Sequence, residues 1–165
     1  MAYTLLELPS RTLVSGEKTL KLSRPILMGI LNTTRDSFSE DSSFFEYNDA
    51  LSEARRIIAD GVDWLDIGGE SSGPGSTEVP LEEELRRVIT LIKEVRSESD
   101  IWSSVDTWKA EVARQSLDVG ADAVNDVSAL RADKEMAGVI AEYQVPVILM
   151  YSKDLSPRTT RNHTE

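Results

Sequence analysis

Five short apolar segments alternate with helix-like segments along most of this chain, and this alternation constrains the fold more than any other feature. The apolar segments predict strands at Ile26–Leu31, Trp64–Ile67, Ile101–Val105, Ala123–Asn125 and Pro146–Met150. Helical spacing of apolar residues predicts helices between them, at about Asn48–Asp60, Pro80–Val95, Lys109–Val119 and Asp133–Tyr143. Strands joined through helices by short loops form right-handed crossovers, so one parallel sheet is expected.

Both an open sheet and a (β/α) barrel fit this order of elements. A complete eight-stranded barrel typically needs about 250 residues, whereas this chain has 165. An isolated five-stranded sheet would expose two edge strands. We therefore predict an α/β fold that is a partial TIM (β/α)8 barrel, with about five parallel strands and four helices, as a fragment or truncated form of a longer barrel.

Three regions are predicted along the chain. Residues 1–24 form an N-terminal β-hairpin around a turn at Ser15, Gly16 and Glu17. Residues 25–150 form the partial barrel, and residues 151–165 form a polar tail without periodic apolar residues. The first barrel strand, Ile26–Leu31, has no polar alternation, which predicts burial on both faces.

Composition excludes several classes of function. The net charge of −11 argues against nucleic acid as a partner. The absence of cysteine excludes thiolate metal sites and thiol nucleophiles. No uncharged apolar stretch approaches the ~18 residues needed to span a bilayer, and the N-terminus lacks the pattern of a signal peptide. We therefore expect a cytoplasmic protein. The acidic run LEEELRRV (Leu81–Val88) is expected to form a solvated helix face.

Polar side chains stand at or near the ends of four predicted strands. These residues are Asn32, Asp66, Asp106 and Asn125. Because functional side chains collect at the carboxyl ends of barrel strands, all four are expected to face one mouth. Further polar groups follow Asn32 in the segment NTTRDSFS, where an ordinary polar turn is the alternative to a ligand-binding loop.

Four ordered motifs carry a resemblance to a known family. They are MGILNTTRDSFS (residues 28–39), LDIGGESSGPGS (65–76), SVDTWKAEV (104–112) and VNDVSAL (124–130). Together the motifs make residues 25–150 resemble the dihydropteroate synthases and, more broadly, the pterin-binding barrel superfamily. The resemblance implies a transferase of folate biosynthesis that condenses 6-hydroxymethyl-7,8-dihydropterin pyrophosphate with p-aminobenzoate.

The resemblance also implies roles for the strand-end residues. Asn32 would contact Mg²⁺ and the pyrophosphate, since a neutral amide oxygen can ligate a hard cation; the alternative is an Asn that caps a turn. Asp106 and Asn125 would hold the pterin ring. The alternatives are a strand-end cap for Asp106 and a local Asx turn at Asn125 and Asp126. Asp66 fits a buried structural hydrogen-bonding role and a pterin contact equally well.

Two loops are expected to bind pyrophosphate and p-aminobenzoate. By resemblance their residues are Thr33, Thr34, Arg35, Asp36 and Ser37 after the first strand, and Ser71, Ser72 and Gly73 after the second. Synthases usually carry Thr then Arg where this chain has Ser72 and Gly73, which removes a cation. Arg35 stands in place of the usual Pro. Its two interpretations are a replacement for the missing charge, since both loops border the same mouth, and a solvated arginine, of which we favour the second.

The basic motifs that family members carry on their late strands have no match in this sequence. His163 lies in the polar tail and is rejected as a catalytic residue, and Tyr151 replaces a common family His. We therefore expect the isolated chain to form no dihydropteroate. The alternatives to a synthase function are a pterin-dependent methyltransferase-like protein and a non-catalytic, degenerate pterin-binding module. A homodimer is a further prediction by resemblance, because synthases of this family are often dimers, although they pair through late helices that have no counterpart in this sequence.

Overall fold

A computed structural model of the chain describes residues 11–33, 43–73 and 76–151. The strands are β1 (Thr12–Ser15), β2 (Lys18–Lys21), β3 (Met28–Asn32), β4 (Trp64–Gly68), β5 (Trp102–Asp106), β6 (Ala123–Asp126) and β7 (Val147–Leu149). The helices are α1 (Ser43–Ala59), α2 (Leu81–Glu98), α3 (Ala110–Asp118) and α4 (Met136–Tyr143). The predicted order of elements is confirmed over these residues.

Helices α1 and α4 begin at other residues than predicted. α1 starts at Ser43 rather than near Asn48, because the apolar spacing that predicted it marks the buried face and not the whole helix. α4 starts at Met136 rather than Asp133. The Asp133 carboxylate accepts hydrogen bonds from the backbone N–H groups of Ala110 (2.8 Å) and Glu135 (3.0 Å), which holds this residue in the preceding turn.

β3 to β7 form one parallel sheet in the order β3-β4-β5-β6-β7. Its sequential order confirms the partial (β/α) barrel, because each helix carries the chain from one strand to the adjacent one. The helices bury one face of the sheet, where Leu31, Ile67, Val105 and Val124 belong to the main core. Side chains alternate along each strand, so the polar site must lie on the opposite face or at the strand ends.

The hairpin β1-β2 covers the start of the opposite face. Trp64 and Trp102 lie with ring centroids 5.4 Å apart, and Leu13 and Leu20 of the hairpin pack against them. Lys18 also ties the hairpin to the sheet by donating to the Asp122 carboxylate at 2.7 Å. Among the described residues, the hairpin therefore covers the amino ends of β4 and β5, which lie opposite to the carboxyl ends of the strands.

The prediction that the first barrel strand is buried on both faces is wrong. Leu31 is buried, but Ile30 is 64% exposed. β3 is an edge strand of the sheet, and no described residue covers its second face at the level of Ile30. The apolar run therefore predicted the strand correctly, but it did not predict that one face of this strand is exposed.

Candidate functional site

Three of the predicted site residues lie in one row across the carboxyl end of the sheet. Asn32 pairs with Gly68, Gly68 pairs with Asp106, and Asp106 pairs with Asn125. The row crosses β3, β4, β5 and β6, so residues far apart in sequence become neighbours. We call Asn32, Gly68, Asp106 and Asn125 the strand-end row.

Gly68 leaves an open space between two polar side chains of this row. A Cβ atom placed on Gly68 would stand 3.1 Å from Asn32 Oδ1 and 3.5 Å from Asp106 Oδ2. The first distance is tighter than ordinary van der Waals contact, so a larger residue would crowd Asn32. The amide oxygen of Asn32 and the carboxylate of Asp106 consequently border the same small volume.

Asp66 lies deeper, with both carboxylate oxygens engaged. Ser104 Oγ donates to Asp66 Oδ1, and Asn125 Nδ2 donates to Asp66 Oδ2 at 2.9 Å. Trp64 Nε1 in turn donates to Ser104 Oγ at 2.8 Å. The side chain of Asp66 is buried, and burial raises its pKa although these two hydrogen bonds lower it. Of the two interpretations of Asp66, this geometry favours a hydrogen-bonding role within the protein.

The turn after β6 is made by Asp126 and not by Asn125. The Asp126 carboxylate accepts from the backbone N–H groups of Ser128 (2.7 Å) and Leu130 (2.8 Å). Leu130 has a positive φ of 64°, and the Asp126 contacts stabilise this uncommon conformation. Asp126 alone therefore forms the Asx turn that was the alternative for Asn125 and Asp126. The side-chain amide of Asn125 donates to Asp66 instead.

Asp106 is a half-buried carboxyl group that accepts no hydrogen bond from residues 11–33, 43–73 or 76–151. Burial is the main reason that its pKa is raised to about 7, and the charges of Asp66, Glu84 and Asp126 raise it further. The strand-end cap considered for this residue would require a bonded backbone N–H, and none is found among the described residues. With respect to the described residues, the oxygens of Asp106 therefore remain able to accept hydrogen bonds from a ligand.

The two predicted binding loops are described only in part. Thr33 donates to Gly68 O through its backbone N–H (2.8 Å) and its Oγ1 (3.0 Å), which ties the first loop to β4. Thr34, Arg35, Asp36 and Ser37 lie outside the described residues. In the second loop, the Gly73 N–H donates to Ser71 Oγ at 3.2 Å, and Ser72 is half-buried beside them.

Sequence reasoning missed a buried ionic cluster behind the mouth. Lys109 Nζ donates to Glu70 Oε2 (2.6 Å) and Glu84 Oε2 (2.5 Å), and Thr107 Oγ1 donates to Glu84 Oε1 at 2.7 Å. Burial lowers the pKa of Lys109, but the hydrogen bonds and charges of Glu70 and Glu84 outweigh it and raise the pKa. We call Glu70, Glu84, Thr107 and Lys109 the lysine cluster.

The expectation that LEEELRRV forms a solvated helix face is wrong for Glu84, which is 1% exposed. A signal for its burial was present in the sequence. Glu84 stands four residues before Val88 and seven before Leu91, on the face by which α2 packs against the sheet. Glu82 remains exposed, and Glu83 pairs with Arg86 and Arg87 on the surface.

The described residues contain no group of three acidic or histidine side chains arranged to hold a metal ion. Asn32 is exposed at the end of β3 and its amide oxygen borders the space beside Gly68. Because Mg²⁺ often keeps water and substrate phosphate oxygens as ligands, one amide oxygen is compatible with such an ion when a phosphorylated substrate supplies the rest. None of the helices in the described parts has the length and apolarity to cross a bilayer.

A parallel βα sheet with its polar row at the carboxyl strand ends defines a chain of the (β/α) barrel class. A model of the family described as "Pterin binding enzyme" matches residues 28–165. The chain therefore belongs to the pterin binding enzyme family, which confirms the resemblance carried by the four motifs.

Curated relatives and solved structures specify the family further. The dihydropteroate synthase of Synechocystis sp. is 44% identical over 142 residues, covering 86% of this chain and 49% of the relative. That of Clostridium beijerinckii is 42% identical over 140 residues, covering 84% and 52%. The Xanthomonas albilineans dihydropteroate synthase solved with 4-aminobenzoic acid superposes with a TM-score of 0.83 at 42% identity, covering 92% of this chain and 55% of that one. The chain thus spans about half the length of the relatives it matches.

Proposed function

We propose that this chain supplies the pterin-recognition part of a dihydropteroate synthase-like transferase of folate biosynthesis. The reaction condenses 6-hydroxymethyl-7,8-dihydropterin pyrophosphate with p-aminobenzoate. The observation that carries the proposal is the strand-end row, in which Asn32, Asp106 and Asn125 border one mouth. A solved relative is described in complex with 7,8-dihydropteroate, the product of this reaction, which supports the assignment.

The strand-end row suits the edge of a pterin ring. Such an edge presents ring N–H and amino donors beside ring acceptors, and the Asp106 carboxylate, which accepts no hydrogen bond from the described residues, can accept from the donors. The Asn125 amide can donate and accept. Its orientation is held by Asp66, whose two oxygens accept from Ser104 Oγ and Asn125 Nδ2, and we assign Asp66 to positioning on this geometry.

The proposed reaction requires little proton chemistry. The amine nitrogen of p-aminobenzoate forms a bond to the pterin methylene carbon while the carbon–oxygen bond to pyrophosphate breaks, and pyrophosphate leaves with the electron pair. The amine then loses one proton to solvent. Positioning of the two reactants and stabilisation of the leaving group are therefore the main contributions of the protein.

We propose Mg²⁺ as the cofactor, with Asn32 as its ligand from the described residues. When bound, the ion would neutralise negative charge on the leaving pyrophosphate. Asn32 would thereby belong to the pyrophosphate side of the site, and Asp106 and Asn125 to the pterin side. Thr33, Thr34, Arg35, Asp36 and Ser37, together with Ser71, Ser72 and Gly73, are proposed for the pyrophosphate and p-aminobenzoate side.

A second candidate is a non-catalytic pterin-binding module. Gly73 favours it, because this position supplies no cation where synthases usually carry Arg. The relatives described above are synthases, which favours the synthase over the methyltransferase alternative. Three further predictions remain, namely a cytoplasmic location, a homodimer and the division of the chain into three regions. Sedimentation of the purified chain tests the homodimer.

A hybrid protein separates the two candidates. The chain is joined to the half of the Synechocystis synthase that it does not match, and dihydropteroate formation from both substrates and Mg²⁺ is measured beside the chain alone. The proposal predicts product from the hybrid, none from the chain alone, and none from a hybrid carrying Asp106→Ala. A folded hybrid that binds pterin but forms no product would support the non-catalytic module, and one that binds no pterin would overturn both.

A further inference from the structure

Lys109 connects the two ends of the loop between β4 and α2, residues 69–80, which we call the β4–α2 loop. Its Nζ donates to Glu70 Oε2 at the start of the loop (2.6 Å) and to the carbonyl oxygen of Val79 at its end (2.7 Å). The third contact goes to Glu84 Oε2 in the first turn of α2 (2.5 Å). One side chain from the start of α3 therefore touches both ends of a loop that it does not belong to.

The contacts use the full bonding capacity of this side chain. A lysine ammonium group has three N–H donors and no acceptor, and Lys109 has three acceptors within 2.7 Å. The side chains of Glu70 and Glu84 are only 2% and 1% exposed. Two buried carboxylates facing each other would repel strongly without the ammonium group between them.

The cluster is also linked to the strand-end row. Thr107 Oγ1 donates to Glu84 Oε1 at 2.7 Å, and the Thr107 N–H donates to the carbonyl oxygen of Asn125 at 3.0 Å. Thr107 directly follows Asp106 at the end of β5. A continuous path of hydrogen bonds thus runs from the β4–α2 loop to the backbone of Asn125 in the row.

We propose that Lys109 is a positioning residue that clamps both ends of the β4–α2 loop and thereby holds Ser71, Ser72 and Gly73 at the carboxyl end of the sheet. The assignment of that loop to p-aminobenzoate rests on the proposed function; the clamp itself rests on the contacts of Lys109.

Amide hydrogen exchange of the full chain tests the clamp. Lys109→Met keeps a long side chain without the charge, and we expect exchange of the loop amides 71–73 and 76–79 to rise at least about tenfold. Amides of α2 between residues 88 and 95 should change much less. Lys93→Met is the matched control, because Lys93 is an exposed lysine on α2. Unchanged loop exchange in Lys109→Met would overturn the proposal.

A second variant decides the matter if Lys109→Met does not fold. Glu70→Leu removes the first anchor but leaves Lys109 paired with Glu84, so no buried charge is left alone. The clamp predicts faster exchange at residues 71–73 and 76–79 in this variant as well, and unchanged exchange there would overturn it.

A binding measurement separates the clamp from the proposed function. In the hybrid protein, Lys109→Met is expected to raise KM for p-aminobenzoate severalfold while KM for the pterin pyrophosphate changes little. If loop exchange rises but the parent hybrid does not bind p-aminobenzoate, the clamp stands and the proposed function fails. If loop exchange is unchanged, the clamp fails whatever the hybrid binds.

Discussion

Asn125 Nδ2 donates to Asp66 Oδ2 at 2.9 Å, so a carboxylate on β4 sets the orientation of an amide on β6, two strands away. The other oxygen of Asp66 accepts from Ser104 on β5, the strand between them. Because a buried carboxylate with both oxygens engaged cannot rotate freely, the Asn125 amide is held with its Nδ2 toward Asp66. The proposed pterin contact of Asn125 is therefore preorganised.

The first prediction follows from this pair. Asp66→Ala should weaken pterin binding about tenfold, because the Asn125 amide loses its partner, and should lower the free energy of unfolding by about 1–3 kcal/mol through unsatisfied polar groups. The double variant with Asn125→Ala should bind pterin no more weakly than Asn125→Ala alone. Calorimetric titration measures this; additive losses would show that Asp66 contacts the ligand independently.

The second prediction concerns the pH dependence of stability. In the folded chain the pKa of Asp106 is raised to about 7, whereas an unperturbed Asp has a pKa of about 3.9. Between these values the folded chain holds more protons than the unfolded chain, so the free energy of unfolding falls as pH rises from about 4 to about 7. The slope contributed by Asp106 is at most about 1.4 kcal/mol per pH unit.

Asp106→Asn provides the comparison for this effect. The amide does not titrate, so the variant should lose the Asp106 part of the slope and become more stable than the parent chain near pH 8. Urea unfolding at several pH values measures both slopes. Parallel curves for the two proteins would contradict the raised pKa of Asp106.

The third prediction concerns the hairpin. Lys18→Met should lower the free energy of unfolding by about 1–2 kcal/mol, because Lys18 donates charged hydrogen bonds to Asp122 (2.7 Å) and to the Ile101 carbonyl (3.1 Å). Lys21→Met is the control, since Lys21 is exposed on the same hairpin. Equal stability of the two variants would mean that the apolar contacts alone hold the hairpin.

The fourth prediction concerns the departure at Gly73. Among the described residues, a Cβ atom on Gly73 would approach only Ser71 Oγ, at 3.3 Å, so a side chain can be accommodated with a small adjustment. Gly73→Arg should leave the unfolding midpoint nearly unchanged and should increase the affinity of the hybrid for p-aminobenzoate, a carboxylate ligand, severalfold. Unchanged affinity would argue that this loop does not face the p-aminobenzoate site.

The parts of the site that could be predicted from sequence are those that depend on local pattern. Asn32, Asp106 and Asn125 each mark the end of an apolar run, and parallel strands end at one edge, so their shared row followed from the order of elements. The exposure of Ile30 did not, because it depends on what covers an edge strand. What covers an edge strand is decided by contacts between residues that are distant in sequence.

The lysine cluster shows why other parts escaped prediction. Glu84 lies in an acidic run that resembles a solvated helix face, and its partner Lys109 is 25 positions away. Charge composition argued for exposure, whereas the position of Glu84 on the apolar face of α2 argued for burial. The second signal prevailed because Lys109 and Thr107 satisfy the buried carboxylate, and no local pattern announces a partner so distant.

The affinity of the chain for a pterin with and without the Asp106 carboxylate tests most directly whether the strand-end row recognises pterin. Asp106→Ala is titrated with pterin at pH 8, beside Asp100→Ala as an exposed control. We expect a loss of about 1.5–3 kcal/mol in binding free energy for Asp106→Ala, roughly 10- to 150-fold in affinity, and no loss for the control. Equal affinity of a folded Asp106→Ala variant and the parent chain would show that the strand-end row does not recognise pterin through Asp106.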